Sequence, residues 1–258
     1  MLTKIYKTEN TMDAAIAVSG KKRKAVLWMG LQVLLSSAVL VTILLITFLD
    51  ARQPVLTDRF SEQSFTEYAQ EISLLLAILF FYGSARLFPK QAVVAYLVGG
   101  FLGMAFIREF DSWLDSNVAD GAWQILAYSL AGLTAYLAYK QRAYLWLRLA
   151  SFIQTRAFGV IITGMLIVFI YSRLYSDKQI WMSAMGEENY MYVVTRASEE
   201  AIELLGYALI LLGSADYLFF LQREQVNKLL HKRQKEVQAA ISHALDTPQE
   251  RPSTLQNS

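Results

Sequence analysis

Three groups of acidic side chains lie at the edges of long apolar runs. Arg108, Glu109, Asp111 and Asp115 follow directly on the run 91–106. Glu62, Glu67 and Glu71 precede a second run, and Glu199, Glu200 and Glu203 open a third, with Tyr207 one turn further on. Charges placed at or inside a membrane segment are costly and mark candidate functional sites. Carboxylates with neither histidine nor cysteine beside them form a hard-oxygen environment suited to Mg²⁺, Ca²⁺, Mn²⁺ or an organic cation. Asp111, Asp115 and Glu203 are the candidate ligands of a divalent cation. The wider ligand-binding set is Arg108, Glu109, Asp111, Asp115, Glu199, Glu200, Glu203, Glu67, Glu71 and Tyr207. Arg108, Arg173 or Arg196 could add a guanidinium fork for an anionic group.

Each group also has a plainer explanation. Glu67 and Glu71, four residues apart, share a helix face and could be solvated, with Glu62 off that face. Glu199 and Glu200 follow Ser198, and acids in a first helical turn complement the macrodipole. Arg108 could pair locally with Glu109 and Asp111. Glu203, between Ile202 and Leu204–Leu205, lies about 6 Å further along the helix than Glu199 and is harder to account for as a cap.

Much chemistry is excluded. The chain has no cysteine, and both histidines, His231 and His243, lie beyond the last apolar block. Haem ligation, zinc sites and most general-base mechanisms lean on histidine, so an intramembrane haem is not expected. The pair Glu199–Glu200 invites comparison with the glutamates of CAAX-type intramembrane proteases. Glu203 and Leu204 stand where that family's arginine would be sought, and the membrane histidines are missing, so the match fails.

Hydrophobic residues make up 55% of the 258 and are gathered into blocks approaching the roughly 20 residues that cross a bilayer. The expected fold is therefore all-α: a polytopic bundle of six transmembrane helices at about 25–49, 72–88, 91–111, 123–139, 158–175 and 199–221. The segment 1–24 reads as a basic tail, and 222–258 as a helix that becomes disordered after Pro248. Arg108, Asp111 and Asp115 would share one face of the third helix. Gly99 and Gly103 form a G-x-x-x-G spacing, facing Ala127, Ala131 and Ala135 of the fourth. Residues 140–157 carry Lys140, Arg142, Arg148 and Arg156 with no acid, and suit a short helix on an anionic membrane surface.

With six spans both termini share a side. Of the 24 lysines and arginines, 18 fall on that side and 6 on the other, which places the termini in the cytoplasm. Fifteen of the 22 acids fall in or beside the outer connections, so the three acidic groups could converge into one outward-facing pocket. The expectation is a multi-pass protein of a bacterial inner (plasma) membrane that binds a cation or a basic or zwitterionic small molecule, in a transport-accessory or sensing role. One alternative is a membrane-embedded carboxylate enzyme, metal-dependent or not, acting on a lipid-like substrate. A second is a structural or assembly protein without a ligand. The balance leans against an enzyme. Expected partners are membrane lipids, the small ligand, and a second copy through small-residue helix faces or the C-terminal helix, with no nucleic acid.

Overall fold

The computed structural model describes residues 2–55, 59–61 and 64–246; Glu62 and the segment after Pro248 lie outside them. Ten α-helices run through the described residues, with no strand among them. They are α1 (Leu2–Ala51), α2 (Phe65–Leu87), α3 (Ala92–Glu109), α4 (Asp111–Asn117), α5 (Ala122–Lys140), α6 (Arg142–Ile153), α7 (Arg156–Leu166), α8 (Ser172–Tyr175), α9 (Lys178–Met185) and α10 (Tyr192–Asp246). Five stretches are long and apolar enough to cross a membrane: Val26–Ala51, Phe65–Leu87, Pro89–Glu109, Arg156–Tyr175 and Tyr192–Ala240.

The core lies between α2, α3, α7 and α10. Leu74, Phe81, Val93, Leu102, Ile161, Ile210 and Tyr217 are buried there, and the Tyr217 ring packs against Phe81 and edge-on against Phe152, with centroids 5.8 and 4.9 Å apart. The crossing of α7 and α10 is unusually close because both helices present glycine. A Cβ built on Gly164 would sit 2.6 Å from the Gly206 carbonyl oxygen, and one on Gly206 only 2.5 Å from Val168 Cγ2. Small residues let backbones approach in this way. By contrast α1 is peripheral, and from Val26 on most of its apolar side chains are exposed.

Several boundaries depart from the sequence expectation. α1 continues back to Leu2, so residues 2–24 are helical and continuous with the first apolar run. α2 begins at Phe65, seven residues early, which puts Glu67 and Glu71 inside it. The third helix stops at Glu109, and Asp111 starts the separate α4; Arg108, Asp111 and Asp115 therefore do not share one continuous helix face. α10 begins at Tyr192, and Glu199 and Glu200 lie about two turns in, too deep to act as first-turn acids. The G-x-x-x-G pair divides its contacts. Gly99 faces Phe81 of α2, whereas Gly100 and Gly103 face Thr134 and Leu130 of α5.

α5 covers the fourth of the six expected spans. It is 19 residues long, about 28 Å at 1.5 Å per residue, but is not one of the five most apolar stretches. It packs antiparallel to α3 from the α4 corner to Lys140, which lies beside Pro89 and Lys90. The basic segment forms α6, in keeping with its composition.

Candidate functional site

A cavity of about 560 Å³ opens at the end of the bundle where α2 begins, α3 ends and α10 begins. Its lining includes the carboxyl residues Glu67 and Glu71 of α2, Glu109 of α3, Asp111 of α4, and Glu199, Glu200 and Glu203 of α10. Three guanidinium residues, Arg108, Arg173 and Arg196, join them. Seven carboxyls against three guanidiniums leave a formal −4 when all are ionised.

Helix ends place these groups. Asp50 closes α1 and is fully buried. Its carboxylate accepts hydrogen bonds from the backbone N–H of Phe65 (2.9 Å) and Thr66 (2.7 Å), and from the Thr66 hydroxyl. Ser64 accepts from Glu67 N–H. The first N–H groups of α2, unpaired in any bare helix, are thus tied to α1, and Glu67 and Glu71 are carried on a capped first two turns.

Towards α10, Gln70 Nε2 of α2 donates to the Glu200 carboxylate at 2.9 Å and to the Glu200 carbonyl at 3.1 Å. Arg196 Nη2 lies 3.5 Å from Glu200 Oε1, while its Nε donates to the Phe60 carbonyl at 2.6 Å. Phe60 is buried with a left-handed backbone (φ 55°), a conformation uncommon outside glycine. Glu67 and Glu200 line the same cavity. Carboxyl groups gathered in this way repel one another unless a proton or a cation joins them.

The other wall comes from α7 and α8. Between them, Ile167–Tyr171 form a π-helical turn, whose extra residue rotates the next turn by about 100° relative to a regular helix. Beyond it Arg173 reaches two acids, with Nη1 2.6 Å from Glu199 Oε1 and Nη2 3.1 Å from Glu203 Oε1. Ser172 Oγ is 3.1 Å from the same Glu203 oxygen and 2.6 Å from the Val168 carbonyl, and its single proton serves one of them at a time. Arg108 pairs with its neighbour Glu109 at 2.9 Å, and the buried Tyr207 donates to Glu109 at 2.9 Å.

Depth sorts the charges. The Glu200 and Glu203 side chains are 7% and 8% exposed, whereas those of Arg108 and Arg173 are 42% and 52% exposed. Carboxylates therefore form the floor and guanidiniums the rim. No ion pair forms at Glu67, Glu71 or Asp111 among the described residues.

The structure thus brings eight of the ten expected ligand residues to one cavity wall. Tyr207 stands behind Glu109. Asp115 does not line the cavity, and its carboxylate accepts from Gly121 N–H at 3.0 Å in the turn before α5. Asp111, Asp115 and Glu203 accordingly do not form one set, and among the described residues no group of three or more such side chains is arranged to hold a metal ion. Four contributors carried no local signal in the sequence: Asp50, Thr66, Gln70 and Ser172. The last three are neutral polar residues inside or beside apolar runs, and only the fold gives each its partner.

No protein family, no curated protein and no solved structure matches the chain.

Proposed function

We propose that this is a six-span membrane protein with both termini in the cytoplasm, whose cavity faces outward and binds a basic or zwitterionic small molecule or a simple cation. One observation carries the reading: four helices deliver seven carboxyls to a single cavity with only three guanidiniums to balance them. Carboxylates held together at low exposure repel one another unless positive charge joins them. A volume of about 560 Å³ suits a small organic ligand, and the lack of a close carboxylate triad among the described residues favours an organic amine over a bare metal ion. The arginine rim would meet the carboxylate of a zwitterion.

Six spans result if α5 crosses with the other five. Its course from the α4 corner to Lys140 supports that. The excess of lysine and arginine at the Lys140 end then makes that end cytoplasmic, and a bacterial inner membrane is the proposed location. The chain has no cysteine, so single cysteines report topology cleanly. Ser112→Cys should react with a membrane-impermeant maleimide in intact cells, and Ala143→Cys only after lysis. The reverse pattern would invert the orientation.

A sensing role is favoured over transport. The helix bearing Glu199, Glu200 and Glu203 runs unbroken to Asp246, whereas no charged residue continues the cavity through the middles of α3 or α7. The binding test is calorimetry on purified protein with putrescine, lysine, Ca²⁺ and Mg²⁺. At least one should bind, and Glu67→Gln/Glu200→Gln should weaken it by roughly tenfold or more. Heat from none of the four, or equal affinity in the double variant, would defeat the reading.

A further inference from the structure

A second cavity, of about 450 Å³, lies at the opposite end of the bundle. It is walled by Pro89 and Lys90 between α2 and α3, by Lys140 at the end of α5, and by Gln141, Ala143, Tyr144 and Arg148 along the start of α6. Three cationic residues and no acid line it. Arg148 Nε is buried without a hydrogen-bond partner, and neither Arg148 nor the two lysines forms an ion pair among the described residues. An anionic group in this cavity would therefore meet three positive side chains with no acid to offset them.

Two further features point the same way. α6 starts over this cavity with no acid in its first turn and no side-chain cap on its leading N–H groups, so its positive end is open to an anion. The cavity also lies at the level where spans stop, since α2 ends at Leu87, α3 begins at Ala92 and α5 ends at Lys140. Tyr144 in its wall, and Tyr139 and Trp146 close by in sequence, are exposed, as aromatics are at the headgroup level of a bilayer.

We propose that Lys90, Lys140 and Arg148 form a phosphate-group site that takes the headgroup of an anionic phospholipid. Arg148 contributes its guanidinium charge to the wall, and the two exposed lysines add theirs. The site is separated from the carboxylate cavity by the length of α2, about 34 Å for 23 residues, so either proposal can fail without the other.

The test is native mass spectrometry of the full-length protein in mild detergent, titrated with phosphatidylglycerol, phosphatidylcholine or inorganic phosphate. The wild type should retain phosphatidylglycerol in preference to phosphatidylcholine. Lys90→Gln/Lys140→Gln, which alters only exposed side chains, should bind it roughly 30-fold more weakly, and Arg148→Gln should lose the preference. Displacement of the lipid by millimolar phosphate would assign the site to phosphate groups of either source, and resistance to phosphate would assign it to the lipid; both support the site. Equal retention of phosphatidylglycerol by the wild type and both variants, or equal binding of the two lipids by the wild type, would overturn it.

Discussion

Asp50 and Thr66, sixteen residues apart, join the end of α1 to the start of α2 through a buried carboxylate that meets both the backbone N–H and the hydroxyl of Thr66. Removing one side of such a contact leaves the other buried and unsatisfied. Asp50→Ala should therefore destabilise the protein by roughly 2–4 kcal/mol, read as a lowered midpoint of thermal unfolding in detergent. Asp50→Asn retains one acceptor and should lose less. An unchanged midpoint for the alanine variant would mean that the contact contributes nothing.

The glycine crossing makes a separate prediction. Gly206→Val puts methyl groups into space already held by Val168 and the Gly164 carbonyl. Overpacking of this kind costs roughly 1–3 kcal/mol, and forcing α7 away also withdraws Ser172 and Arg173 from α10. The variant should lose both thermal stability and ligand heat. Gly132→Val, where nothing lies within 4 Å of the added Cβ, is the control and should change neither.

Arg173 offers a way to tell ligand classes apart. Arg173→Gln removes one of the three rim cations and makes the cavity more negative. Putrescine affinity should rise roughly five- to tenfold, while that of a zwitterion, which also needs the guanidinium, should fall. Arg173 is half exposed but its partner Glu203 is only 8% exposed, so the variant should also lose roughly 1–3 kcal/mol of stability from the carboxylate left without its cation. Weaker binding of both classes would show that Arg173 acts chiefly by ordering Glu199 and Glu203.

The π-helical turn is open to a direct test. Deleting Ile170 should restore a regular helix and swing residue 173 by about 100°, away from Glu199. In the cysteine-free chain, Arg173→Cys with Glu199→Cys should cross-link readily through a short bifunctional reagent, and the same pair with Ile170 deleted should not. Equal cross-linking would indicate that the turn has no part in aiming this residue.

The membrane helices were legible because hydropathy averaged over about twenty residues is a local property. Their ends were not. α2 begins early because Ser64 caps it locally and Asp50, distant in sequence, accepts from the N–H groups of Phe65 and Thr66. α10 begins early because Ser198 does not cap anything; its hydroxyl donates back to the Val194 carbonyl within the helix. The break at Phe110 carries neither glycine nor proline, and Phe110 instead packs its ring 5.0 Å from Phe106. The acids of the cavity could be named from charge position alone. Their partners could not, since pairings such as Gln70 with Glu200 span 130 residues and arise only when α2 and α10 pack together.

α10 has a mechanical consequence beyond the residues it presents. From Glu203 to Ala240 the unbroken helix covers about 37 residues, or about 55 Å at 1.5 Å per residue. Beyond the bundle its side chains are exposed and nothing braces it among the described residues. The helix is packed in the bundle as far as Leu221, so a tilt of about 5° about that point would move Ala240 through roughly 2–3 Å by that geometry. One rigid rod carries both the carboxylates and the exposed segment, so any tilt at one end is shared by the other.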